Sequence, residues 1–119
     1  MTDSSGMITQ QTIEKPWGKE VIWASTKDYV GKILIIEKNS QLSLQYHSKK
    51  TETILLVSGD LVIRGEDGVE LACLKPGGSY HIAPNTIHRF CALDTTVTLI
   101  EVSTPELDDV VRIEDDYGR

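Results

Sequence analysis

Residues 41–47 read Gln41-Leu42-Ser43-Leu44-Gln45-Tyr46-His47, a run in which polar and apolar side chains alternate at every step. Strand side chains point to opposite faces in turn, so Gln41, Ser43, Gln45 and His47 share one face and Leu42, Leu44 and Tyr46 the other. A period of two over seven residues reads as strand rather than helix. The same cadence continues outward. Short β-branched runs occupy 20–24, 32–37, 52–57, 61–64, 69–74, 79–83, 88–93 and 96–102. Turn signals separate them, among them Asn39-Ser40, Ser58-Gly59-Asp60, Pro76-Gly77-Gly78 and Pro84-Asn85. No segment keeps helical periodicity for three turns. The one helix-start signal, Ser103-Thr104-Pro105-Glu106, introduces a turn or two at most. Some nine evenly spaced strands make the chain all-β, a sandwich or a barrel. The polar, aperiodic stretch 1–12 reads as a flexible N-terminus, which leaves 13–119 as a single domain.

The composition fits one core. The 119 residues are 39% hydrophobic and 25% charged, an ordinary globular balance. No apolar run exceeds four residues, which argues against a membrane span and a signal peptide. Two cysteines, Cys73 and Cys91, are too few for a disulfide scaffold, so a reducing, cytoplasmic setting is expected. The net charge is −6, and residues 105–119 carry −4 of it, with six acids against Arg112 and Arg119. Without a basic stripe, neither nucleic acid nor an anionic membrane is an expected partner. On charge patterning alone the acidic tail is a solvated polar terminus.

The alternating strand also opens a metal-ligand pattern. Gln45 and His47, two apart, face the same way and can reach one ion. Glu52 follows on the next strand, and His88 comes from a distant one. An amide oxygen, two imidazoles and a carboxylate from three strands make a four-point grip on a divalent cation. Gly59 serves the turn after the Glu52 strand, where a side chain is unwelcome. Each residue alone is weak evidence; the joint spacing is what points to a metal.

That spacing resembles the two signature motifs of the cupin superfamily. The first reads here Gln45-x-His47-x4-Glu52-x6-Gly59, with glutamine in place of the first histidine and Asn39 where a leading glycine falls. The second reads Gly77-x5-Ala83-x-Asn85-x2-His88, its proline displaced to Pro84 and its final asparagine replaced by Ala92. Asparagine replaces glycine at 85, and both tolerate a left-handed backbone. Gln-x-His-x4-Glu is similar to the cupin domain of type II mannose-6-phosphate isomerases. So are Lys15-Pro16-Trp17-Gly18 and the terminus Glu114-Asp115-Asp116-Tyr117-Gly118-Arg119. The resemblance covers about residues 14–119. The chain departs from it at Lys50, where the family has arginine, and at Thr53-Ile54, where it has His-Trp. These 119 residues contain no counterpart of the nucleotidyltransferase domain of the larger enzymes.

The resemblance implies a double-stranded β-helix, or jelly-roll barrel, holding one divalent metal. Zinc comes first; manganese, iron, cobalt and nickel suit the same ligands. It implies an isomerase that interconverts mannose 6-phosphate and fructose 6-phosphate through a metal-stabilised enediolate. A base must then move a proton between neighbouring carbons, and His81, Lys49 and Lys50 are the candidates. Arg89 follows His88 and is a secondary candidate for a phosphate clamp, because alternation turns it outward. Two other readings remain open: a sugar-binding cupin that is non-catalytic or differently specific, and an iron-dependent dioxygenase. With Gln45 and His47 inside, Leu42, Leu44 and Tyr46 form an apolar exterior, for which a homodimer is the expected cover.

Overall fold

Three long strands show how the sequence builds the core. β3 (Val30–Ile36), β5 (Glu52–Ser58) and β10 (Val97–Ser103) lie side by side in one antiparallel sheet, β10 in the middle. Their alternate residues bury one face: Leu34, Ile36, Ile54, Leu56, Val97 and Leu99 are all at most 3% exposed. The same inward rows carry Lys32, Glu52 and Glu101, also buried. The interior is therefore apolar at one end and charged at the other. Truncating one of the wholly buried aliphatics to alanine should cost about 2–5 kcal/mol.

The computed structural model describes residues 4–118. Around this centre the chain adds β1 (Gln11–Lys15), β2 (Gly18–Ser25) and β8 (Ser79–Ile82), giving a sheet of order β1-β2-β3-β10-β5-β8. The facing sheet is built from β4 (Leu44–Tyr46), β6 (Leu61–Arg64), β7 (Glu70–Leu74), β9 (Arg89–Ala92) and β11 (Val111–Glu114). There β7-β6-β9 and β4-β11 are joined through the single bridges Gln41↔Cys91 and Gln45↔His88. Leu61, Ile63 and Phe90 of this sheet meet the aliphatic rows of the first. The chain is the expected all-β jelly roll. Gly59 takes a φ of 87° at the β5–β6 turn, and a side chain there would run into the carbonyl of Thr96. Asn85 and Asn39 also take left-handed backbone, with φ of 64° and 62°.

Four sequence expectations need correction. β1 begins at Gln11, inside the stretch read as flexible, and pairs with β2 along its whole length; residues 1–3 of that stretch lie outside the described residues. The Ser103-Thr104-Pro105-Glu106 signal starts no helix, because Thr104 instead pins the neighbouring loop, its Oγ1 accepting from the Thr51 N–H at 3.1 Å. β11 was not anticipated at all; its alternation lasts only four residues.

The fourth concerns residues 41–47. Gln41 sits opposite Cys91, but Gln45 sits opposite His88, so one extra residue is inserted between them. Such a bulge resets the alternation. Leu42 consequently joins the core at 8% exposure instead of facing out, and Leu44 is buried within the chain at 4%. The apolar exterior offered as the reason for a homodimer is thus covered by the chain itself. The large hydrophobics left exposed on the big sheet are Leu55, Val57 and Val102.

Candidate metal centre

Gln45 and His88 exchange both backbone hydrogen bonds, at 2.9 and 2.8 Å. Residues directly opposite in an antiparallel pair project to the same face, so this bridge brings the two motifs together. His47 follows two residues on, and Glu52 opens β5 from the facing sheet. The three side chains His47, Glu52 and His88 are 3, 2 and 1% exposed, and their ligand atoms all lie within 4.8 Å of one another.

Each imidazole is oriented from behind. His47 Nδ1 lies 2.6 Å from the carbonyl oxygen of Asp109, and His88 Nδ1 lies 2.8 Å from that of Thr86. A carbonyl can only accept, so both Nδ1 atoms carry the proton and donate. In the neutral rings both Nε2 atoms therefore present lone pairs. They face Glu52 Oε1 at 3.4 and 3.2 Å. His47 Nε2, His88 Nε2 and Glu52 Oε1 have no hydrogen-bond partner among the described residues. Three converging acceptors, buried and unsatisfied, are costly unless something positive joins them. Ligands at about 2.0–2.2 Å from one ion stand roughly 3–3.5 Å apart from each other, as each imidazole does from Glu52. The residues fit a divalent ion.

Charge behind the centre is arranged around Lys50. Its ammonium lies 3.4 Å from Glu52 Oε2 and 3.9 Å from Glu101 Oε2. Burial pushes the Glu52 carboxyl up, and the Lys50 ammonium beside it pulls it down. Burial and the adjacent Glu52 charge push the Glu101 carboxyl up. Burial draws the Lys50 ammonium down, yet Glu101 and Glu52 more than compensate and raise it. The result is a buried cation between two acids, of which Glu101 is the one biased toward its protonated form.

The C-terminal segment closes the site. Asp109, besides lending its carbonyl to His47, accepts from the Ser48 hydroxyl at 2.7 Å and from the backbone N–H groups of Ser48, Lys49 and Lys50 at 3.1, 2.7 and 2.9 Å. The Ser48 hydroxyl and these amides hold its carboxyl well below the usual range. Further along, Arg89 Nε donates to the Leu42 carbonyl at 3.0 Å, and its guanidinium reaches Glu114 and Asp116 at 3.6 and 3.7 Å. Asp116 accepts from Gln41 at 2.8 Å, and the Tyr117 hydroxyl donates to the Gln41 carbonyl at 3.0 Å. The acidic tail is therefore a fastened strap and not a solvated terminus. Arg89 is one of its fasteners.

Of the other sequence candidates, Gln45 lines the same cavity as His47 and Glu52, its Oε1 accepting from the Ser43 hydroxyl at 2.7 Å. Lys50 is buried beside the centre. Lys49 is exposed and contributes its backbone N–H to Asp109. His81 is turned away: it pairs with Thr53 across β8 and β5 on the outer face, is exposed, and lies 2.9 Å from the Thr53 hydroxyl. Alternation explains it, since Glu52 points in and Thr53 therefore points out. The departure from the family at position 53 thus falls outside the cavity. Sequence reasoning missed Glu101 and Asp109. Glu101 left one signal, an acid on the inward row of β10 that begins with Val97 and Leu99. The cavity has a volume of about 350 Å³, within the usual small-molecule range.

The family model described as mannose-6-phosphate isomerase C-terminal matches residues 2–115. The chain is 29% identical over 115 residues to mannose-1-phosphate guanylyltransferase RfbM of Salmonella typhimurium, covering 91% of this chain and 23% of that protein. It is 32% identical over 112 residues to the xanthan biosynthesis protein XanB of Xanthomonas campestris, covering 90% and 23%. The chain therefore spans under a quarter of the length of these curated relatives. Among solved structures, an RmlC-like cupin from Shewanella frigidimarina superposes with a TM-score of 0.76 at 18% identity, covering 92% of this chain and 98% of that one. KdgF from Halomonas gives 0.71 at 22%, covering 86% and 92%.

Proposed function

The chain belongs to the mannose-6-phosphate isomerase C-terminal family, and from that premise we propose a metal-dependent sugar-phosphate isomerase interconverting mannose 6-phosphate and fructose 6-phosphate. The observation that carries the reading is the buried convergence of His47 Nε2, Glu52 Oε1 and His88 Nε2, unpartnered among the described residues, with His47 and Glu52 lining a cavity of small-molecule size. These three, with the Gln45 amide oxygen as fourth ligand, would hold one divalent ion, zinc first, with manganese, iron, cobalt or nickel compatible. When bound, the ion supplies a Lewis acid that stabilises negative charge on sugar oxygens.

The chain's own groups do the rest. Asp109 and Thr86 carbonyls keep both imidazoles in the tautomer that leaves Nε2 free. Lys50 and Glu101 stand beside the ligands as the groups able to hold and move a proton, Lys50 at Nζ and Glu101 at its carboxyl. Lys49 and His81, the other two candidates, are exposed, His81 on the outer face, so this reading gives the proton to Lys50 and Glu101. The apolar walls, Leu34, Leu42 and Phe90 among them, keep water from the reacting end.

The reading includes a cytoplasmic setting, supported by two free cysteines, Cys73 and Cys91. No helix among the described residues is long and apolar enough to cross a membrane. It also includes a homodimer, whose support is now the exposed Leu55, Val57 and Val102 rather than Leu42 and Leu44. Sedimentation at micromolar concentration checks this, and a monomer removes it.

The deciding experiment is a coupled assay on metal-loaded protein beside Glu52→Ala, with bound metal measured in both. Turnover that disappears together with the metal is expected. Stabilisation of the loaded protein by sugar phosphate without any turnover would instead assign a non-catalytic sugar-binding role.

A further inference from the structure

The mouth of the cavity holds charge that the centre does not use. Four basic side chains line the cavity: Lys15, Lys32, Lys50 and Arg112. Two are already neutralised, Lys32 by Glu20 at 3.1 Å and Lys50 by Glu52 and Glu101. Lys15 and Arg112 have no acidic partner within ion-pair distance among the described residues. Arg112 lies directly opposite Gln45 in the β11–β4 pair, so it projects to the face on which Gln45 lines the cavity. Lys15 reaches the same space from β1 in the other sheet, in alternation with Gln11 and Ile13. One acid, Asp108, shares the rim.

Two unpaired cations from opposite sheets thus flank the entrance, in a chain whose net charge is −6. Such a placement repels no anion locally, although the rest of the molecule does. A guanidinium matches a phosphate with two parallel N–H donors, and an ammonium adds a point charge. The opposite end of the cavity offers ligands suited to neutral sugar oxygens. A molecule that satisfies both ends carries hydroxyl or carbonyl oxygens at one terminus and a phosphoryl group at the other.

We propose that Arg112 and Lys15 form a phosphate-holding subsite at the cavity mouth, gripping the phosphoryl end of a sugar monophosphate whose other end reaches the buried His47, Glu52 and His88. This rests on the sugar-phosphate reading of the cavity and adds the residues that select the phosphorylated sugar over the free one. It also gives the fastened tail a purpose: Arg89, Glu114 and Asp116 hold β11 where Arg112 meets the entrance.

The test uses the metal-loaded full chain and its Arg112→Met, Arg112→Lys and Lys15→Met variants. Each is titrated calorimetrically with fructose 6-phosphate alone and in the presence of inorganic phosphate, with bound metal measured as a check on the centre. In Arg112→Met the dissociation constant for fructose 6-phosphate should rise about tenfold or more, the loss expected for a charge-assisted hydrogen bond. Lys15→Met should lose less, and Arg112→Lys should recover part. Inorganic phosphate should compete in the wild type and not in Arg112→Met. In turnover the loss should fall in KM and not in kcat. An unchanged dissociation constant in Arg112→Met, with metal retained, overturns the subsite while leaving the isomerase standing. Binding that depends on Arg112 in a wild type without turnover keeps the subsite and removes the isomerase. Failure of the wild type to bind the sugar phosphate removes both.

Discussion

The two ends of one cavity are built on opposite terms. At the inner end His47, Glu52 and His88 are at most 3% exposed, locked by backbone carbonyls and enclosed by Lys50 and Glu101. At the mouth Arg112 is exposed, Lys15 half-buried, and neither has an acidic partner within ion-pair distance among the described residues. Buried charges act in a low dielectric, where losing one group leaves others uncompensated. Exposed charges are screened, and their loss is graded. The inner end should respond to substitution in an all-or-none way and the mouth by degrees.

The sharpest break is Glu52→Ala. It removes the only carboxylate of the centre and should lower metal affinity by more than about 100-fold, beyond the range for outer partners. Metal analysis of the purified variant reads this directly; a full complement of metal would show that the convergence of the three side chains is structural. Next comes Lys50→Met, which should retain metal yet reduce turnover by about 10²–10⁴-fold, the span of general acid–base groups. Lys50→Arg keeps the cation and supplies the residue usual in the family, so it separates charge from proton transfer. Asp109→Ala sits between the two regimes. Its carboxylate anchors residues 48–50 to the segment whose carbonyl orients His47, so losing that anchor should weaken metal binding by about 10–100-fold, read by competition with a chelator. The smallest effect belongs to His81→Ala. On the outer face its removal should leave metal content and turnover within about twofold, as for surface positions. A large loss there would mean that the outer face communicates with the cavity.

The inner end was legible in the sequence because it follows from strand periodicity. Gln45 and His47 are two apart, Glu52 begins the next inward row, and each keeps its face wherever the register holds. His88 joined them through a motif whose spacing reflects a fixed strand pairing. The limits of this logic appear where the register slips. The extra residue between Gln41 and Gln45 turned Leu42 inward, and no local pattern in Leu42-Ser43-Leu44 announces it. His81 failed for the opposite reason. Its proximity to the second motif suggested function, yet simple alternation against Glu52 through the Thr53 pair already places it outside. Asp109 and Arg112 were hidden because their partners lie about sixty residues away, in Ser48, Lys49 and Gln45.

By itself the sequence determined that this chain is all-β with inward polar positions at 45, 47, 52 and 88, because alternation and turn chemistry are local properties; the jelly roll was what the family resemblance implied. Only the tertiary structure decided that the acidic tail is bound down as β11, that Lys50 sits between Glu52 and Glu101, and that Arg112 and Lys15 line the same cavity. Those juxtapositions depend on which strands pair and where a bulge shifts the register, and both are settled by the packing of the whole barrel.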